Sequence, residues 1–164
     1  MKKAIISTFS SILLANAPLL VAQTYNEAGV PTYFDSSIRW LQNYSEAVAL
    51  SQSSSKPILI LFTGTNWCPA CIMLERTVIS QPEFTQAIAP YFIFLKAEFP
   101  QASASSLAHS PYKSLLDRYQ IGAFPTFVVV NAEGRFLYKV NYGQGGPQAY
   151  AQELLQKLRN VSGQ

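Results

Sequence analysis

Phe62-Thr63-Gly64-Thr65-Asn66-Trp67-Cys68-Pro69-Ala70-Cys71 follows directly on the apolar run Ile58-Leu59-Ile60-Leu61, and its two cysteines are the only ones in the 164-residue chain. A continuous apolar run fits a strand covered on both faces, as in a parallel sheet. Feeding it into a helical pattern puts Cys68 at the helix N-cap and Pro69 at the first helical position, where a missing N–H is no loss. Cys71 then lies one turn along. The unpaired N–H groups and positive dipole end of that turn favour a thiolate at Cys68, so its pKa is expected below the ~8.5 of a free cysteine. A thiolate attacks disulfides, and a second cysteine three residues on can displace the mixed disulfide, so the pair can cycle between dithiol and disulfide.

Other readings of a Cys-x-x-Cys pair are a structural disulfide, half of a zinc site or a chance pair. Four-coordinate zinc needs two more ligands, and His109 is the only histidine left to join the carboxylates. Haem attachment wants His directly after the second cysteine, where Ile72 stands.

A length of 164 residues with 49% hydrophobic composition suffices for one sizeable core and gives no reason to invoke a second. Met1-Lys2-Lys3 followed by an apolar stretch from Ala4 reads as a secretory signal. Ala15-Asn16-Ala17 has the small-x-small form but precedes Pro18, so cleavage is expected after Ala22, giving residues 1–22 as signal and 23–164 as the folded domain. An uncleaved anchor is the alternative; Asn16, Pro18 and four Ser/Thr residues weaken it. The formal charge of +3 falls by two, to +1, once Lys2 and Lys3 leave, and no Lys/Arg run remains, so no nucleic-acid-binding face is indicated.

Along the chain, Thr32-Tyr33-Phe34 is a candidate first strand. A helix capped by Asp35 or Ser36 is expected to run to about Ser51, with Ile38, Leu41, Ala47 and Val48 at helical spacing. After the 58–62 strand, the motif helix should extend from Pro69 to about Ile79 with Ile72, Leu74 and Val78 inward, then continue as a helical piece over Pro82 to Ala89. Phe92 to Glu98 is the next strand. Phe99 to Ser110 shows no periodic signal and reads as a long loop, before a short helix from about Pro111 to Tyr119. Phe127 to Val130 and Phe136 to Val140 flank the turn-forming Asn131-Ala132-Glu133-Gly134, and Pro147 opens a last helix with Tyr150, Leu154, Leu155 and Leu158 at core spacing. The expected fold is α/β: a central mixed sheet flanked by helices, in the order strand-helix-strand-helix-strand-helix-strand-strand-helix.

Trp67-Cys68-Pro69-Ala70-Cys71 after a buried strand, with Gly122-Ala123-Phe124-Pro125-Thr126 opening a later one, resembles the thioredoxin superfamily over roughly Thr32 to Arg159. The segment from Phe62 to Cys68, Pro82-Glu83-Phe84 and the signal look closer to its exported reductases, among them the C-terminal domain of DsbD. The resemblance implies a cis proline at Pro125, facing the cysteines and turning the Phe124 backbone outward to pair with an extended substrate peptide. Strongly oxidising relatives carry Pro-His between the cysteines; Ala70 cannot supply that imidazole, so a more reducing couple is expected. Where thioredoxin has a buried Asp, this chain has Leu61. Glu75, four residues after Cys71 and on the same helix face, matches a carboxylate of the DsbD domain and is the candidate proton acceptor for Cys71 if buried enough, with a solvated surface Glu as the alternative. Glu98 is a lesser candidate. Trp67 should shield one side of Cys68 and, with Pro69, Ala70, Phe124 and Pro125, meet the substrate; the 99–110 loop is expected on the same sheet edge. His109 fits a surface or capping role.

The sequence therefore reads as an exported, periplasmic and monomeric thiol:disulfide oxidoreductase acting as a reductase. Cys68 is its nucleophile and Cys71 its resolving thiol, with no metal or organic cofactor. Its expected partners are proteins with disulfides and a membrane thiol electron donor of the DsbD kind, since an oxidising compartment lacks a cytosolic thiol pool. A disulfide-forming oxidase and a non-catalytic thioredoxin-like binding module are the rivals.

Overall fold

The computed structural model describes residues 38–64 and 66–163. The expected first strand, Thr32 to Phe34, and the signal segment lie outside them. The chain order is β1 (Trp40–Leu41), α1 (Tyr44–Ser54), β2 (Ile58–Gly64), α2 (Pro69–Leu74), a π turn (Glu75–Ile79), α3 (Pro82–Ile88), β3 (Ile93–Phe99), α4 (Ala104–Ala108), α5 (Lys113–Arg118), β4 (Thr126–Val130), β5 (Phe136–Asn141) and α6 (Pro147–Ser162). The five strands form one sheet in the order β1-β3-β2-β4-β5. β3 runs parallel to β1 and β2, whereas β4 is antiparallel to β2 and β5. The expected α/β fold with a mixed central sheet is what forms.

β2 is central and buried along all seven residues, which accounts for its unbroken apolar run. Alternation splits its side chains between two cores. Leu59 and Leu61 join Phe94, Phe127 and Val129 under α2, α3 and α6. Ile58, Ile60 and Phe62 join Leu95, Ala97, Phe99 and Val128 under α1 and α5. Burying each such Leu, Ile or Phe contributes about 1.5–3 kcal/mol, so the doubly covered strand anchors the fold.

Three expectations need correction. Within the described residues, the helix expected from Asp35 or Ser36 to about Ser51 is a short strand and then a helix. Trp40 and Leu41 pair with Phe94 and Leu95, and the Trp40 ring meets Phe94 edge-on at 5.5 Å. Helix α1 begins only after Asn43, whose Oδ1 accepts from the Glu46 N–H at 3.0 Å. Ile72, expected inward, is 41% exposed, because Cys71 and Leu74 take the buried positions of α2. The 99–110 stretch is not one loop: Phe99 closes β3, and Ser103 caps α4 by accepting from the Ser106 N–H at 3.1 Å.

The β4–β5 hairpin turns at Asn131–Gly134 as the composition suggests. Asn131 Oδ1 accepts from the N–H groups of Glu133 and Arg135, and Gly134 takes the left-handed conformation (φ +73°). Helix α6 buries Tyr150, Ala151 and Leu154, with Leu155 and Leu158 packed against that core.

Candidate active site

Cys68 and Cys71 are joined in a disulfide where the C-terminal end of β2 gives way to α2. Cys68 is the N-cap and Pro69 the first helical residue, as the sequence predicts. The Cys71 N–H donates to Cys68 Sγ at 3.2 Å, and the Gly64 N–H donates to Cys71 Sγ at 3.3 Å. Both sulfurs thus face fixed backbone donors, which favour a negative sulfur over a neutral one. Cys68 is 6% and Cys71 4% exposed, while Pro69 is exposed and Ala70 half-buried.

The Phe124–Pro125 peptide bond is cis, as the resemblance implied. The Phe124 carbonyl oxygen lies 3.8 Å from Cys68 Sγ. Trp67 sits between these parts and β3. Its Nε1 donates to the Phe99 carbonyl at 2.8 Å, and its ring meets Phe124 edge-on at 5.7 Å. Phe124 packs in turn against Phe99 at 5.1 Å, and Phe99 against Tyr112 at 6.1 Å. One wall beside Cys68 is therefore a row of aromatic rings.

On the other side, a cavity of about 340 Å³ reaches Cys71 and is lined by Glu75, Lys96, Glu98, Thr63 and Gly64 among others. Glu75 opens the π turn, and its Oε2 accepts from Lys96 Nζ at 3.1 Å. Lys96 also lies over the Trp40 ring, 5.4 Å from its centroid. Its side chain is 21% exposed and that of Glu75 42%, so the pair is only partly withdrawn from water and adds little to stability. Glu98 lines the same cavity. Leu61, register partner of Lys96, is fully buried. The structure thus brings Cys68, Cys71, Trp67, Phe124 and Pro125 together on one edge of the sheet, with Glu75 and Glu98 in the cavity behind Cys71. It leaves His109 outside, exposed, with Nδ1 donating to the Ser105 carbonyl at 2.7 Å at the end of α4.

Lys96 and Gly64 are the residues that reading the sequence passed over. The available signal for Lys96 was a pair of charges, Lys96 and Glu98, on one face of an otherwise apolar strand. Gly64 stood inside the motif stretch with no visible reason to be glycine.

A thioredoxin-like family model matches residues 39–132. The disulfide bond reductase DsbH of Chlamydia pneumoniae is 28% identical over 129 residues, which cover 75% of this chain and 74% of that protein. A solved DsbH oxidoreductase superposes with a TM-score of 0.66 at 24% identity, over 92% of this chain and 95% of its own. The oxidised C-terminal domain of Neisseria meningitidis DsbD does so with a TM-score of 0.53 at 19% identity, over 73% and 99%. Those two likenesses speak for the fold alone. With the family match spanning more than half of its length, and the cysteine pair and cis proline in their places, the chain belongs to the thioredoxin-like family.

Proposed function

We propose that this protein is an exported disulfide reductase working by dithiol–disulfide exchange. The observation that carries the reading is the Cys71 N–H aimed at Cys68 Sγ, at the start of a helix and beside the Phe124 carbonyl. In the reduced protein the Cys68 thiolate attacks one sulfur of a substrate disulfide. The Cys68–substrate bond forms, the substrate S–S bond breaks, and the other substrate sulfur leaves as a thiolate that takes a proton. Cys71, deprotonated, then attacks Cys68 Sγ and releases the second substrate thiol. Two electrons have passed to the substrate, and the protein is left with the Cys68–Cys71 disulfide.

Glu75 is the proposed acceptor of the Cys71 proton, since it shares the cavity that reaches Cys71. Pro69, Ala70, Trp67 and the Phe124 backbone form the proposed contact with an extended substrate peptide. The likeness to a protein named as a disulfide bond reductase supports the direction, as does Ala70 in place of an imidazole. A dithiol of a membrane electron donor would return the pair to its reduced form.

The test is trapping. Cys68→Ser abolishes reduction of protein disulfides, whereas Cys71→Ser accumulates a stable mixed disulfide on Cys68. Glu75→Gln retains reduction but slows release of the mixed disulfide about a hundredfold, the lower end of the range for a positioned proton acceptor. An adduct found on Cys71 overturns the order of roles, and release at the unsubstituted rate removes Glu75 from the mechanism.

A further inference from the structure

Gly64 ends β2, yet its backbone gives no reason for glycine, because its φ lies outside the left-handed region that Gly134 and Gly145 occupy. What it lacks is room. A Cβ at Gly64 would lie 2.6 Å from both Cε2 and Cζ2 of Trp67 and 3.1 Å from Cys68 Cβ. Unstrained carbon contacts sit at about 3.5–4.0 Å. The indole of Trp67 therefore rests on the bare backbone of the strand end.

Two further contacts hold the ring there. Its Nε1 donates to the carbonyl of Phe99, and Phe99 is the register partner of Gly64 on β3, so the indole spans the end of that strand pair. It also makes a T-shaped contact with the ring of Phe124, whose carbonyl lies beside Cys68 Sγ. Retreat from a methyl group at residue 64 would break one or both contacts. Trp67 and Cys68 share a peptide unit, so such a displacement also moves Cys68 Sγ relative to the Cys71 N–H, 3.2 Å away. That donor stabilises the thiolate, and lengthening the bond raises the thiol pKa.

We propose that Gly64 is a positioning residue of the redox site: its missing side chain seats Trp67 on the β2–β3 backbone and so holds Cys68 where the Cys71 N–H stabilises its thiolate. The proposal rests on the reading of Cys68 as nucleophile. The experiment is the pH profile of iodoacetamide alkylation of the reduced full chain, with the labelled cysteine identified by mass spectrometry. Gly64→Ala is expected to move the Cys68 profile to higher pH and lower its rate at pH 7 about tenfold. In a Trp67→Ala background the same substitution should change the rate less than twofold, because the group it strikes is gone.

Trp67→Phe keeps Gly64 and removes the Nε1 tether; at least a threefold fall is expected. A Gly64→Ala profile that matches the unsubstituted protein overturns the proposal, as does an equal fall in both backgrounds. An unmoved Trp67→Phe profile overturns it even if Gly64→Ala does not fold. Label on Cys71 in the unsubstituted protein overturns the assignment of Cys68 instead, whereas label on Cys68 with unmoved profiles overturns only the role of Gly64.

Discussion

Between the cysteines, Pro69 starts the helix and Ala70 offers the sulfur of Cys68 no side-chain donor. The backbone N–H of Cys71 is thus the polar partner that this helix turn gives Cys68. An added imidazole would stabilise the thiolate, and with it the reduced form. Ala70→His is therefore expected to make the couple more oxidising by about 30 mV or more, equal to a tenfold change in its equilibrium constant. An unchanged or more reducing potential, measured against glutathione, would contradict this. The placement of Cys68 and Pro69 was legible in the sequence because capping is local, decided within one turn of helix. The ion pair of Glu75 with Lys96 was not, because it depends on β3 lying beside β2 in a particular register. The seat of Trp67 on Gly64 was hidden for the same reason, since its tether is a carbonyl on the neighbouring strand.

Tertiary pairing also decides which elements form. Asn43-x-x-Glu46 is a helix start that a reading of apolar spacing alone overlooks, and Ile38 and Leu41, though at helical spacing, fall before it. Trp40 and Leu41 gain more from the open edge of β3 than from a longer helix, a competition that single-sequence periodicity does not register. The strands and α6 were legible because their apolar patterns are long and their turns carry Gly, Pro and Asn. Helix α6 is docked by Tyr138 of β5, whose buried hydroxyl donates to the Leu154 carbonyl at 2.7 Å. Tyr138→Phe is expected to lower folding stability by about 1 kcal/mol, the usual net worth of such a bond. Burial pushes the Tyr138 phenol well above its ordinary value, and burial does the same at Tyr119. A phenol whose pKa is raised on folding stabilises the native state fully below its unfolded value of about 10, and that stability is lost as pH rises toward the raised value. Denaturant titrations should therefore show stability falling above pH ~10, less steeply in Tyr138→Phe. An equal slope in both proteins would show that Tyr138 does not drive the loss.

For the whole molecule, direction of electron flow and compartment belong together. No helix among the described residues is long and apolar enough to cross a membrane. The proposed export rests on Met1-Lys2-Lys3 and the apolar stretch after it; expressed in a Gram-negative host, the protein should reach the periplasm with Gln23 as its first residue. Cytoplasmic retention with an intact Met1 would remove the signal reading. In an oxidising compartment a reductase works only if its own couple is reducing, since otherwise its substrates would hold it as the dithiol and leave their disulfides intact. The equilibrium constant of the Cys68–Cys71 pair against glutathione is the most direct test. The account predicts a potential closer to the roughly −270 mV of thioredoxin than to the roughly −120 mV of a strong disulfide donor. A value near the latter would make the protein an oxidase and contradict the central claim.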